Sequence, residues 1–221
     1  MFRAVVFDLF ETLVTEYDPQ WTPPPSIGER LGIGEHAFAT GWAGTRHDRM
    51  RGVYPDHASV LRAICAAEGV TPDAPVVDAL VRERLADKAK PFAAIDGDVL
   101  AMVEGLHDGG LRLGLLTSAT VEETAAWASC ALAPLFDAFT VSALEGLNKP
   151  ERAAYDLVCD RLDVGPGETA FVGDSEYELA GAAEAGLRPY RAMWFIDRWP
   201  AGTAAAASAA AAAMTSARAR P

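Results

Sequence analysis

The chain has 221 residues, half of them hydrophobic and 23% charged, the composition of a globular protein long enough to bury a core. Its 31 acidic against 19 basic residues give a formal net charge of −12. Bulk charge of that sign does not attract nucleic acid or anionic membrane, so an anionic substrate would need a locally built positive site, for which a divalent cation is one source.

Ala4 to Leu9 (AVVFDL) is a short apolar run rich in Val and Phe, the pattern of a buried parallel strand. Residues 15 to 93 differ. A turn-rich stretch from Tyr17 to Ile27, with Pro19, Pro23, Pro24 and Pro25, leads into helical patterns at His57 to Gly69 and Val76 to Ala89, with no clear strand. This segment reads as a helical cap inserted after the first strand. Beyond it come a helix from Asp98 to Asp108, stopped by Gly109 and Gly110, and a strand from Leu111 to Thr117. Thr120 to Glu123 has the spacing of a capping box and predicts a helix there. A strand from Ala138 to Val141 follows, then a helix that Pro150 opens and that runs to about Leu162. A strand from Thr169 to Gly173, a helix from Ser175 to Ala185 stopped by Gly186, and a fifth strand from Pro189 to Met193 complete the series.

Strands alternating with helices from residue 96 onward imply an α/β fold with a doubly wound parallel sheet, whose ligands bind beyond the carboxyl ends of the strands. The expected division is a core of residues 1–14 and 94–200, a helical cap of 15–93, and an alanine-rich tail of 201–221, frayed or disordered. Cys65, Cys130 and Cys159 lie at no metal or redox spacing and read as free thiols in a reducing compartment. Met1-Phe2-Arg3 runs straight into the first strand pattern with no leader, and no apolar run is long enough for a bilayer, so a cytoplasmic protein is expected, with no membrane or nucleic-acid partner.

Four segments place polar groups where strands end: Phe7-Asp8-Leu9-Phe10-Glu11-Thr12, Leu116-Thr117-Ser118, Asn148-Lys149-Pro150 and Val172-Gly173-Asp174-Ser175-Glu176-Tyr177-Glu178. Asp8 is an acid at the end of an apolar strand, costly unless it is paired or metal-bound. If the sheet brings the four together, two carboxylates with a backbone carbonyl and waters suit Mg²⁺, and a hydroxyl with a lysine can hold a phosphoryl oxygen. Plainer readings stand beside these. Ser175 and Glu178 have capping-box spacing, Thr12 bonds backbone in its turn, Tyr155 packs in a core, and Arg46, His47, Arg49 and Arg51 line a solvated helix face. The sharper alternative has Arg46 or Arg49 reaching a substrate anion.

Each segment alone is weak, but the four in this order resemble the haloacid dehalogenase superfamily, and residues 15–93 resemble its small helical cap of the subfamily I type. The resemblance covers about Phe2 to Arg191. It implies a Rossmann-like core in which Asp8 is the nucleophile that forms a covalent aspartyl intermediate. Thr117 and Lys149 would bind the transferring group, with Ser118 beside them, and Asp8, Asp174, the Phe10 carbonyl and Glu178 would be placed at Mg²⁺. Phosphatases of the superfamily carry a second Asp where this chain has Phe10, and Phe10 and Tyr155 are more like its 2-haloacid dehalogenases. Asp174 is the metal-binding phosphatase form, whereas Ser118 stands where dehalogenases place Asn. Weighing a buried acid pair as strongly repulsive without a cation, the expected function is a Mg²⁺-dependent phosphomonoesterase acting on a small soluble phosphate ester. Its alternatives are a metal-independent 2-haloacid dehalogenase and a weakly active or non-catalytic binding member of the fold. A monomer or homodimer is expected.

Overall fold

A computed structural model describes residues 2–196. The expected tail of 201–221 lies outside those residues. Five strands form one parallel sheet: β1 (Ala4–Phe7), β2 (Arg112–Thr117), β3 (Ala138–Val141), β4 (Thr169–Gly173) and β5 (Arg188–Arg191), in the order β3-β2-β1-β4-β5. Five helices follow β1: α1 (Ile27–Leu31), α2 (Glu35–Gly44), α3 (Arg46–Met50), α4 (His57–Ala67) and α5 (Ala74–Ala93). The chain then returns through α6 (Gly97–Asp108) to β2, and α7 (Ser142–Glu145), α8 (Arg152–Leu162) and α9 (Glu176–Ala185) complete it. No helix among the described residues is long and apolar enough to cross a membrane.

The period of two along β1 sorts its side chains onto two faces. Val5 and Phe7 join Leu113, Leu115, Val99 and Val103 in one buried cluster, under α6. Ala4 and Val6 join Leu116, Phe171, Tyr155, Val158, Leu162 and Ala182 in the other, under α8 and α9. Both faces of the strand are therefore covered, which is why its sequence is a continuous apolar run rather than an alternation. A third cluster belongs to residues 27–81 alone: Leu31, Phe38, Val60, Leu61, Ile64, Cys65, Val77 and Leu80.

Two local expectations give way to packing. The capping-box spacing at Thr120–Glu123 does not start a helix. One half of the box forms, with the Thr120 main-chain N–H donating to Glu123 Oε2 at 2.9 Å. The chain then turns and makes two short 3₁₀ turns, Trp127–Ser129 and Ala133–Leu135. Trp127 is buried edge-on to Phe136 and stacked on Phe139, with ring centroids 5.2 Å and 5.6 Å away. Burying that indole outweighs a local helical preference of tenths of a kcal/mol per residue. Likewise α8 begins at Arg152, with Glu151 as its N-cap, so Pro150 lies in the preceding turn.

The helical insertion carries buried charge. His57, the first residue of α4, is 5% exposed, and its ring meets Trp42 edge-on. Burial and the Arg84 guanidinium push its imidazole down to about 4, while Glu122, 3.9 Å from Nδ1, opposes the shift. Arg49 and Glu123 also face it. A base whose folded pKa is depressed lends stability that is present above its unfolded value of 6.5 and is lost as pH falls through about 4. His57→Gln is thus expected to remove an acid sensitivity of order 3 kcal/mol. The check is to compare urea unfolding of variant and parent across that window: identical pH slopes would contradict the buried neutral imidazole.

Candidate active site

The carboxyl ends of β1, β2 and β4 converge on one edge of the sheet. Phe7 pairs with Val172 across β1 and β4, and the next main-chain N–H, that of Asp8, donates to the Val172 carbonyl at 2.9 Å. Asp8 therefore lies one residue past its strand, beside Gly173. A Cβ built on that glycine would sit 3.5 Å from the Asp8 Cβ, so the two strand ends touch here. Asp174 is the next residue of the chain. Thr117 ends β2 and is buried, with Ser118 half-buried after it.

Lys149, in the turn between α7 and α8, is 4% exposed and places its ammonium between two carboxylates. Nζ donates to Asp8 Oδ1 and stands 2.7 Å from Glu178 Oε2. Ser118 Oγ donates to Glu178 Oε1 at 3.4 Å, so both oxygens of Glu178 are engaged by protein groups. The capping box expected at Ser175–Glu178 is absent: Ser175 is the N-cap of α9 but makes no side-chain cap bond. The carboxylate that would have capped the helix is drawn across the site by the lysine. Tyr155 is fully buried edge-on to Phe171 and donates its hydroxyl to the Glu178 carbonyl at 2.7 Å, tying the first turn of α9 to α8. Thr12 departs from expectation, because its buried Oγ1 has no hydrogen-bond partner.

Two carboxylates thus share one ammonium, and a third, that of Asp174, adds its charge to theirs. Burial pushes the Asp8 carboxyl up to about 7. Lys149 resists this, and the charges of Glu178 and Asp174 add to it. Asp174 is also raised, by its own burial and by Glu178. Lys149 goes the opposite way for a buried amine. Asp8 and Glu178 hold it above its ordinary value despite desolvation. The cluster carries more negative charge than its one cation neutralises. Among the described residues no three Asp, Glu, His or Cys side chains form a ready metal cage. Two neighbouring carboxylates are nevertheless part of the oxygen set that Mg²⁺ uses, since it keeps several of its waters. The donor chemistry therefore fits that ion.

The side chains of the remaining predicted residues make their contacts elsewhere. Phe10 is half-buried, its ring edge-on to Phe92 at 6.5 Å and its face 5.8 Å from the Lys88 ammonium. Arg49 is buried within the helical insertion. Its guanidinium lies over Trp42 at 3.5 Å, donating to the Trp42 carbonyl at 2.9 Å and to Thr45 Oγ1 at 3.3 Å. Arg46 is exposed on α3. Neither arginine contacts Asp8, Thr117, Lys149 or Asp174. Each is drawn instead by what is near it in the helices: an indole face and a free helical carbonyl for Arg49, solvent for Arg46.

Sequence reasoning missed the contacts by which the insertion grips the core. Arg84 on α5 donates to Glu122 at 3.1 Å and to Glu123 at 3.0 Å, and Lys88 stands 3.7 Å from Glu123. On the other flank Arg51, after α3, donates to the Gly146 carbonyl at 2.7 Å and pairs with Glu151. Partners so far apart in the chain leave no periodic signal.

A family model described as haloacid dehalogenase-like hydrolase matches residues 2–186. A curated protein of Clostridium perfringens assigned by name as a pyrophosphatase is 28% identical over 103 residues, which are 46% of this chain and 46% of that protein. The match thus spans just under half of that relative's length. A HAD-family enzyme of Bacteroides thetaiotaomicron, solved with magnesium and inorganic phosphate, superposes with a TM-score of 0.63 at 18% identity over 86% of this chain and 94% of that one. An L-2-haloacid dehalogenase of Xanthobacter autotrophicus superposes with a TM-score of 0.54 at 22% identity over 86% of this chain and 77% of that one. At these identities the two structures speak to the fold.

Proposed function

Because the chain belongs to the haloacid dehalogenase-like hydrolases, we propose that it is a phosphomonoesterase that uses Asp8 as nucleophile and Mg²⁺ as cofactor. The observation that carries the reading is one buried ammonium set between Asp8 and Glu178 at the sheet edge, with Asp174 near enough for its charge to raise the Asp8 carboxyl as well. A site so charged repels a phosphate ester unless a cation joins it. Residues 15–93 act as a cap that closes over Asp8. The pyrophosphatase name of the curated relative, and the magnesium and phosphate held by the Bacteroides neighbour, support the same choice.

Asp8 and Asp174, with the Phe10 carbonyl, would hold the ion. Bound there, it would neutralise charge on the phosphoryl oxygens and offset the repulsion between the carboxylates. Glu178 is assigned to holding Lys149 rather than to the metal, because Lys149 and Ser118 already take its oxygens. Lys149 and Thr117 bind the phosphoryl group and stabilise charge on it during transfer. An Asp8 oxygen attacks phosphorus, the bond to the leaving oxygen breaks, and an aspartyl-phosphate remains. Water then opens it, releasing phosphate and restoring the carboxylate. Phe10 has no proton to give, so a leaving group that departs as a stable anion is favoured.

The test is hydrolysis of an aryl phosphate and of inorganic pyrophosphate with and without a chelator. Phosphate release that stops with chelator and returns with Mg²⁺ is expected. One observation favours a second reading: an aromatic ring at position 10, with Tyr155 buried against α9, suits a 2-haloacid dehalogenase. Halide released from a 2-haloacid with chelator present, and no phosphate from either ester, would replace the first reading by the second.

A further inference from the structure

Lys149 has a second constraint besides the carboxylates it touches. The turn that carries it runs from Gly146, which caps α7 in the left-handed conformation with φ 69°, to Glu151, which caps α8. Arg51 of the helical insertion holds both ends of that turn. One guanidinium nitrogen donates to the Gly146 carbonyl at 2.7 Å, and another pairs with the Glu151 carboxylate. The fork geometry of a guanidinium lets one side chain bridge two acceptors with separate N–H groups held in a fixed plane. The Arg51 Nε lies buried without a partner, although the side chain as a whole is about a third exposed.

The next residue shows how closely the insertion is seated here. Gly52 has φ 70°, and a Cβ built on it would fall 1.9 Å from the Ala143 carbonyl oxygen of α7. Backbone meets backbone at this point, which only glycine permits. Arg51 thus enters the core from a rigid contact, and its two bonds bracket Lys149, three residues beyond Gly146 and two before Glu151.

From this bracket we infer that Arg51 is a positioning residue: by clamping Gly146 and Glu151 from the insertion, it sets the turn that aims the Lys149 ammonium at Asp8, so the phosphoryl-holding lysine is in register only while the insertion is seated. The inference rests on the proposed role of Lys149 in transfer. The arginine touches no reacting atom. Its contribution passes through the turn, and a misplacement of about 1 Å there is enough to lower a rate by orders of magnitude.

The experiment compares Arg51→Met, Arg51→Lys and Glu151→Gln in the full-length protein, reading kcat and KM on an aryl phosphate, the thermal midpoint, and amide hydrogen exchange over residues 146–151. Arg51→Met is expected to lower kcat about tenfold. Its thermal midpoint should shift little, because the Arg51–Glu151 pair is about a third exposed and such pairs add little stability. Arg51→Lys should recover part of the loss, and adding Glu151→Gln to Arg51→Met should cost less than it does alone, since the two act as one contact. A purely structural arginine would instead lower the midpoint and leave kcat of the folded protein unchanged, and that result overturns the inference. Exchange over 146–151 reads the clamp without any turnover: faster exchange in Arg51→Met is expected, and parental exchange would overturn it. A parent protein that releases no phosphate while this exchange still rises would refute the phosphatase reading and leave the clamp standing.

Discussion

Asp8→Asn is expected to reduce turnover by at least about 10³-fold while leaving the protein folded. The carboxylate is the group that bonds to the substrate in the proposed reaction, and an amide of nearly the same shape has no nucleophilic oxygen. The fold tolerates the change because Lys149 keeps its contact with Glu178. The pH dependence has a definite sign. The Asp8 carboxyl is pushed up to about 7 by burial and by its acidic neighbours. A carboxyl raised in this way lends stability that is full below its ordinary value of 3.8 and is lost as pH rises through about 7. Asn has no such term, so the melting temperature of the variant relative to the parent should rise between about pH 4 and about pH 7 and level off above that. Retained turnover would exclude Asp8 as the nucleophile. A variant that loses ground as pH rises would contradict the charge balance described for the site.

Lys149→Met should damage both activity and stability. Its ammonium is buried and is the only cation in contact with Asp8 and Glu178 among the described residues. Removing one partner from a buried ionic group leaves the rest uncompensated, which costs about 3–5 kcal/mol. Turnover should fall by at least about 10²-fold, the scale of losing a preorganised group that faces developing charge. Without the lysine the Asp8 carboxyl moves further above about 7, since Lys149 is the influence that lowers it. The stability deficit should therefore be largest under alkaline conditions and shrink on acidification, as Asp8 takes up a proton. Chemical denaturation at both extremes measures this. A deficit that grows toward acid would show that the carboxylates, rather than the lysine, bear the imbalance.

The two variants separate two roles that one site combines. Asp8→Asn removes chemistry and relieves charge. Lys149→Met removes charge compensation and keeps the nucleophile. Opposite pH trends in stability, with activity lost in both, would show that the excess of carboxylate is built into the fold at a cost that a cation offsets.

Much of the candidate site was legible in the chain because polar residues at the ends of apolar runs have few structural explanations. Asp8, Thr117, Lys149 and Asp174 were named on that ground, and the parallel order of β2, β1 and β4 brings their segments to one edge. At Glu178 a local rule and the fold compete. The capping spacing is real, but a buried ammonium 2.7 Å away outcompetes a solvent-screened main-chain N–H for the carboxylate. At Thr120–Glu123 the Glu123 carboxylate bonds both the Thr120 N–H and Arg84, but the Thr120 hydroxyl has no partner and the following chain folds around Trp127. Arg49 was singled out as a substrate ligand on charge alone, and the indole beneath it could not be foreseen from spacing.

The sequence by itself determined the five strands and the helices α4, α5, α6, α8 and α9, with the faces they bury. The period of two along β1 and the apolar stripes of α4, α6 and α8 are properties of local order, readable wherever burial follows periodicity. Family membership was legible too, since four short motifs keep their order whatever lies between them. Only the tertiary structure decided which charges meet. Arg51 with Glu151, Arg84 with Glu122 and Glu123, and Lys149 with Asp8 and Glu178 are joined across tens of residues to more than a hundred. An ion pair depends on distance and on solvent exclusion, and neither exists until the sheet and the helical insertion have assembled.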